Sequence, residues 1–204
     1  MKVEKRITKK IKHDANLFVG QIDVDSDYFI KRIEEGIKVS NFNYRTAVVG
    51  QMTDWDFFIN DKECLKLLFE IFDFLDSIPN IGGYELNGCW GIKEGFSEYT
   101  RRHEHQSAYY SGGIYLNDHP QKLYFPDINE SVQPKKGKVI LFSSFLTHYT
   151  LRNKTDISKY GIVFNLMHAK WITENKKWKN LELKFTLIKC LQTFKLKVWM
   201  AHET

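Results

Sequence analysis

Arg102-His103-Glu104-His105, read with His148 further along the chain, is the stretch that decides the fold. Alternate side chains of a β-strand point to one face, so His103 and His105 look inward together while Glu104 looks out. His148 ends the run 138–148, in which Ile140, Phe142, Ser144, Leu146 and His148 share a face by alternation. That places it at the inner rim of a barrel. Paired inward imidazoles are costly without hydrogen bonds or a metal to compensate them. Three neutral nitrogens converging there suit Fe, Zn, Cu or Ni. Spacing by itself leaves scattered structural histidines as the alternative.

The texture around these residues is that of a β domain with flanking helices. From Tyr84 onward, short apolar runs alternate with turn residues. Strands are expected over 84–92, 99–105, 109–116, 122–125, 138–148 and 159–167, with Glu94-Gly95 and 117–120 as turns. Successive short strands of this kind suggest a double-sheet jelly roll, the cupin-like double-stranded β-helix. Upstream, 17–24 reads as a strand. A helix capped by Ser26 or Asp27 carries Phe29, Ile30, Ile33 and Ile37 on one face. A second, capped by Asn60 or Asp61, carries Cys64, Leu67, Leu68, Ile71, Phe72 and Leu75, and Pro79 closes it. The organisation expected is 1–83 as support packed on the barrel, 84–168 as the jelly-roll core and 169–204 as a basic extension.

At 204 residues with 43% apolar and 15% aromatic content, the chain can bury a sizeable core. It has no transmembrane segment, and its Lys-rich start lacks the apolar stretch of a signal peptide, so a soluble, cytoplasmic protein is expected. Cys64, Cys89 and Cys190 are odd in number and widely spaced, which argues for buried free thiols rather than a disulfide framework or a zinc knot. The net charge of +5 is concentrated at the two ends. Such basic ends allow nucleic-acid contact, although solvated faces are the commoner reading. In the tail, Leu187, Ile188, Leu191, Phe194 and Val198 step like a helix.

Placed in order, the motifs resemble a known family. His103-Glu-His105, Ser111-Gly-Gly-Ile-Tyr-Leu116, Pro134-Lys-Lys-Gly-Lys-Val-Ile-Leu-Phe142, His148 and Lys159-Tyr-Gly-Ile-Val-Phe-Asn165 look like the Fe(II)- and 2-oxoglutarate-dependent oxygenases. The similarity is to the small prolyl-4-hydroxylase-like branch of phages and bacteria, and it covers about residues 84–168. It implies a dioxygenase that releases succinate and CO2 while oxidising an unactivated C–H bond, in a bacterial cell or a phage-infected host. Carried over residue by residue, His103 and His148 fall on the two histidine ligands of Fe(II). His105 falls where most of the superfamily has Asp or Glu. Strand parity favours His105 as third ligand over Glu104, which reaches inward only if the strand bulges. Lys159 falls on the basic residue, usually Arg, that pairs with the distal carboxylate of 2-oxoglutarate, and lysine does this without a bidentate fork. Tyr115 falls on a tyrosine that can hydrogen-bond the same carboxylate, and Asn165 closes the final motif on the same strand face as Lys159.

Two other readings stay open. One is a three-histidine, cupin-like metalloenzyme that does not use 2-oxoglutarate, and the other is a non-catalytic jelly-roll binding module. Nothing in the sequence marks the substrate as peptide, nucleic acid or small metabolite.

Overall fold

The computed structural model describes residues 2–10, 14–40, 46–78, 83–105 and 107–168. Met1–Met167 forms one compact unit. The expected C-terminal extension, Pro79, and the basic tail lie outside the described residues.

The chain opens with two antiparallel strands, β1 (Lys2–Lys10) and β2 (Asp14–Gln21). The basic start therefore pairs as a strand, which its composition did not suggest. Helix α1 (Ser26–Val39) is capped by Asp25, whose carboxylate accepts from the Tyr28 N–H at 3.1 Å, one residue earlier than expected. Short strands β3 (Val48–Val49) and β4 (Gln51–Met52) lead to α2 (Lys62–Asp76). Asp61 caps α2 by accepting from the N–H groups of Glu63 and Cys64 at 3.1 and 3.0 Å.

The remaining elements are strands: β5 (Tyr84–Glu94), β6 (Tyr99–Thr100), β7 (Tyr110–Tyr115), β8 (Leu123–Phe125), β9 (Glu130–Val132), β10 (Lys138–Ser143), β11 (Tyr149–Thr150) and β12 (Lys159–His168). A large sheet runs β1-β2-β10-β7-β12-β5-β4. Two short sheets, β3-β6 and β11-β8-β9, lie apart from it. They are tied together by a reciprocal backbone pair in which His103 N–H donates to the His148 carbonyl at 3.1 Å and His148 N–H to the His103 carbonyl at 2.9 Å. The result is the double-sheet jelly roll with flanking helices.

Strand alternation divides the core. Phe18, Ile114, Leu141, Ile162 and Phe164 face the helices, meeting Phe29 and Ile33 of α1 and Leu68 and Ile71 of α2. Their neighbours along the same strands, Leu17, Val19, Tyr115, Ile140 and Phe142, turn the other way to meet Leu123, Phe125 and Val132. The central strands β2, β7 and β10 are therefore buried on both faces, which accounts for their near-continuous apolar runs, whereas the edge strand β1 exposes Lys2, Glu4 and Lys5. Cys64 and Cys89 are buried free thiols with sulfurs 3.6 Å apart, linking α2 to β5. Cys190 lies outside the described residues.

Three expected boundaries move. The run 138–148 is not one strand: β10 ends at Ser143, a turn follows in which Leu146 N–H donates to the Ser143 carbonyl at 2.9 Å, and His148 belongs to the second layer. Likewise 99–105 is a strand only over Tyr99–Thr100, and His103 pairs as an isolated bridge. Finally, β5 runs on to Glu94, which the sequence places in a turn. Among the described residues no helix is long and apolar enough to cross a membrane.

Candidate metal centre and its pocket

His103, His105 and His148 come together although no continuous strand carries them. Each offers one ring nitrogen, and these three atoms lie within 4.8 Å of one another. His105 Nε2 stands 3.3 Å from His148 Nε2. Two nitrogens bound about 2.1 Å from one metal ion and at right angles would stand about 3 Å apart. The alternation survives locally without a regular ladder. His103 is fixed by the bridge to His148, and His105 N–H donates to the Ser144 carbonyl at 2.8 Å, so both rings turn inward. Glu104, between them, is exposed.

The second nitrogens fix the tautomers. A carbonyl only accepts, so His103 Nδ1 must donate to the Arg101 carbonyl at 2.8 Å, and His148 Nδ1 to the Leu146 carbonyl at 3.0 Å. Both Nε2 atoms are thereby left with free lone pairs, the arrangement by which outer hydrogen bonds orient metal-ligating histidines. The Asn165 side chain hydrogen-bonds His105 and accepts from Ser111 Oγ at 2.7 Å. Asn165 thus sits behind a histidine of the cluster. Burial lowers the pKa of all three histidines, to about 4 for His105 and about 3 for His148, and the charge of His103 lowers those two further. At neutral pH the cluster is three uncharged donors, the form that binds a metal.

The histidines open onto a cavity of about 80 Å³ between the sheets. Trp90, Ile92, Phe142 and Val163 supply its apolar walls, with Tyr115 and Lys159 also lining it. Gly113 and Gly161 border it as well, and a Cβ at either would crowd a backbone carbonyl, that of Ile162 at 3.2 Å and that of Ile114 at 3.3 Å. The buried indole N–H of Trp90 finds no acceptor among the described residues, a donor available to whatever occupies the cavity.

Lys159, at the start of β12, is 2% exposed and makes an ion pair with Glu94, at the end of β5 and 0% exposed. The other Glu94 oxygen accepts from Thr100 Oγ1 at 2.6 Å, and Thr100 N–H donates to Thr150 Oγ1 at 2.7 Å. Tyr115 is buried beside this pair, and burial, then the Glu94 charge, raises its hydroxyl pKa well above the usual phenol value. Glu94 is the residue that sequence reasoning missed. It has the parity of Trp90 and Ile92, both facing the cavity, so extending the strand by one more alternation would have found it. The Glu94-Gly95 pair disguised it as a turn.

The other histidines stand apart. Gln121 N–H donates to His119 Nδ1 at 3.1 Å, and His119 Nε2 donates to the Ile157 carbonyl at 3.0 Å, a structural role. His13, the side chain of His168, and His202 lie outside the described residues.

No family model and no curated protein matches the sequence. Solved structures do match the fold. A viral collagen prolyl hydroxylase from Paramecium bursaria Chlorella virus-1, in its 2-oxoglutarate complex, superposes with TM-score 0.58 and 18% identity, covering 72% of this chain and 94% of that one. A Pseudomonas putida prolyl-4-hydroxylase gives TM-score 0.55 and 17% identity, covering 74% and 92%. HygX from Streptomyces hygroscopicus, with nickel, 2-oxoglutarate and hygromycin B bound, gives TM-score 0.59 and 12% identity, covering 74% and 82%. The chain shares their jelly-roll fold across nearly their whole length.

Proposed function

We propose that this chain is an Fe(II)- and 2-oxoglutarate-dependent oxygenase of the hydroxylase type, with His103, His105 and His148 as the protein ligands of the metal. The observation that carries the reading is the convergence of three uncharged imidazole nitrogens, two with backbone-fixed tautomers, at the mouth of a cavity in this fold. The bound 2-oxoglutarate and nickel named for the similar structures support the same choice of cosubstrate and of a divalent transition metal.

When bound, iron and 2-oxoglutarate supply the oxidising power, with succinate and CO2 as by-products. The chain's own work is binding and orientation. Lys159 and Tyr115 offer a cation and a hydroxyl to the distal carboxylate of the cosubstrate. Asn165 holds the His105 ring in position. Ile92, Phe142 and Val163 give the cavity apolar walls, and a low-dielectric lining strengthens the charge interactions within it. A third imidazole in place of a carboxylate leaves the metal's positive charge undiminished, so an anionic cosubstrate is held more strongly at the metal end. Anaerobic addition of 2-oxoglutarate to the Fe(II)-loaded protein is expected to give a visible charge-transfer band, with succinate formed on admitting O2. A metal-loaded protein giving neither would rule the reading out.

One observation favours a second reading, a three-histidine metalloenzyme that never uses 2-oxoglutarate. Lys159 already has a carboxylate partner in Glu94. That reading expects metal binding indifferent to 2-oxoglutarate and to Lys159→Ala. The first expects Lys159→Ala to abolish the effect of 2-oxoglutarate while leaving the metal bound.

A further inference from the structure

We propose that Glu94 is an internal competitor for Lys159, so that it, rather than the metal ligands, sets which 2-oxo acid the cavity accepts and how tightly. This rests on the oxygenase reading above. Glu94 and Lys159 sit on neighbouring strands of the large sheet, β5 and β12, and both are buried. The carboxylate is anchored on both sides, one oxygen accepting from Thr100 Oγ1 at 2.6 Å and the other paired with the lysine ammonium. Thr100 and Lys159 both line the cavity, and Glu94 stands behind them, bonded to each.

A ligand with a distal carboxylate must bring that charge to a lysine whose charge Glu94 already balances. Two carboxylates would then share one ammonium in a low-dielectric site, where like charges repel strongly. Lysine has three donors and can reach both, but the second carboxylate gains less than it would from an unshared cation. A 2-oxo acid with an uncharged tail meets no such competition. Its tail would lie against Ile92, Leu123, Ile140 and Val163, which are among the cavity walls. The cavity is therefore biased against diacids and toward 2-oxo acids with apolar tails, relative to a site whose lysine is unpaired.

The test compares two ligands of equal length, 2-oxoglutarate and 2-oxopentanoate, which ends in methyl instead of carboxylate. Their affinities are measured by calorimetry on the Mn(II)-loaded full chain, wild type and Glu94→Gln. The glutamine can keep the Thr100 hydrogen bond while releasing Lys159. It is expected to tighten 2-oxoglutarate by about tenfold or more, the factor for one charge-assisted hydrogen bond gained, and to leave 2-oxopentanoate within about twofold. Unchanged or weakened 2-oxoglutarate binding in Glu94→Gln, with the wild type binding it, would overturn the inference and leave the oxygenase reading standing. If only the variant bound 2-oxoglutarate, the inference would stand and the wild type would not be a 2-oxoglutarate enzyme. If neither form bound it, both would fall. Should Glu94→Gln not fold, Glu94→Asp keeps the charge but draws it back by one methylene. It is expected to tighten 2-oxoglutarate by a smaller factor, about threefold, and no tightening would again overturn the inference.

Discussion

The two ends of the cavity distribute charge in opposite ways. At the histidine end, where a carboxylate is expected among the metal ligands, there are three neutral imidazoles and the nearby Glu104 points to solvent. At the lysine end, where an unshared cation is expected, a buried carboxylate is already in place. Relative to the pattern the sequence resembles, one negative charge is missing among the three histidines and one is gained at Lys159. Under the proposed reading, an incoming dianion would meet a more cationic metal site and a less cationic tail site. That reading would shift affinity toward the metal-binding end of the ligand and make the distal end a place of discrimination.

Substitutions can break either half of this contrast. The largest effect is expected at the histidine end. His103→Ala or His148→Ala should reduce metal binding by at least about 100-fold, read as metal content after dialysis, with the strand signature of the circular dichroism spectrum retained. At the lysine end, Lys159→Met strands a buried carboxylate and should destabilise the protein by about 3–5 kcal/mol in denaturant unfolding. Combining it with Glu94→Gln should recover much of that loss, because neither charge is then left alone. A double variant less stable than either single one would mean that the two residues do not act as a pair.

The pH dependence separates the ends in a third way. All three histidines have folded-state pKa values below their ordinary one. The unfolded chain therefore takes up protons first as pH falls. Stability of the metal-free protein is full above about pH 6.5 and is lost toward about pH 4, by about 1.4 kcal/mol per pH unit for each histidine that charges only on unfolding. Thermal melts from pH 7.5 to 4.5 should show this decline. His105→Asn should make it shallower. The smallest effect is expected at Trp90, whose N–H has no acceptor among the described residues. Trp90→Phe should change stability by no more than about 1 kcal/mol, since no hydrogen bond is lost, and a larger loss would show that the indole is needed for its edge-on packing against Trp55, whose ring centroid lies 4.4 Å away.

Much of the histidine end was legible in the sequence, and the reason is local. His-x-His needs only strand parity to bring two rings together, and that parity persists even where the ladder is reduced to one bridge. His148 does line the cavity beside His103 and His105, but the alternation that suggested its placement fails. The alternation from Ile140 to His148 is interrupted by a turn, and the chain changes sheets before the histidine is reached. A period of two cannot register a crossing between layers. The lysine end was half legible. Lys159 and Tyr115 came from motif order, whereas Glu94 stayed hidden because a charged residue beside glycine reads as a turn, and only a partner far along the chain makes its burial tolerable. The basic start was opaque for a similar reason: β1 exists through its pairing with β2, which composition does not encode.

The most direct test of the central claim is a crystal structure of the full chain grown with Mn(II) and 2-oxoglutarate. The metal is expected on the Nε2 atoms of His103, His105 and His148, with Glu104 still facing solvent and the distal carboxylate of the ligand beside Lys159. A metal held by Glu104 in place of His105, or no metal among the three histidines, would contradict it.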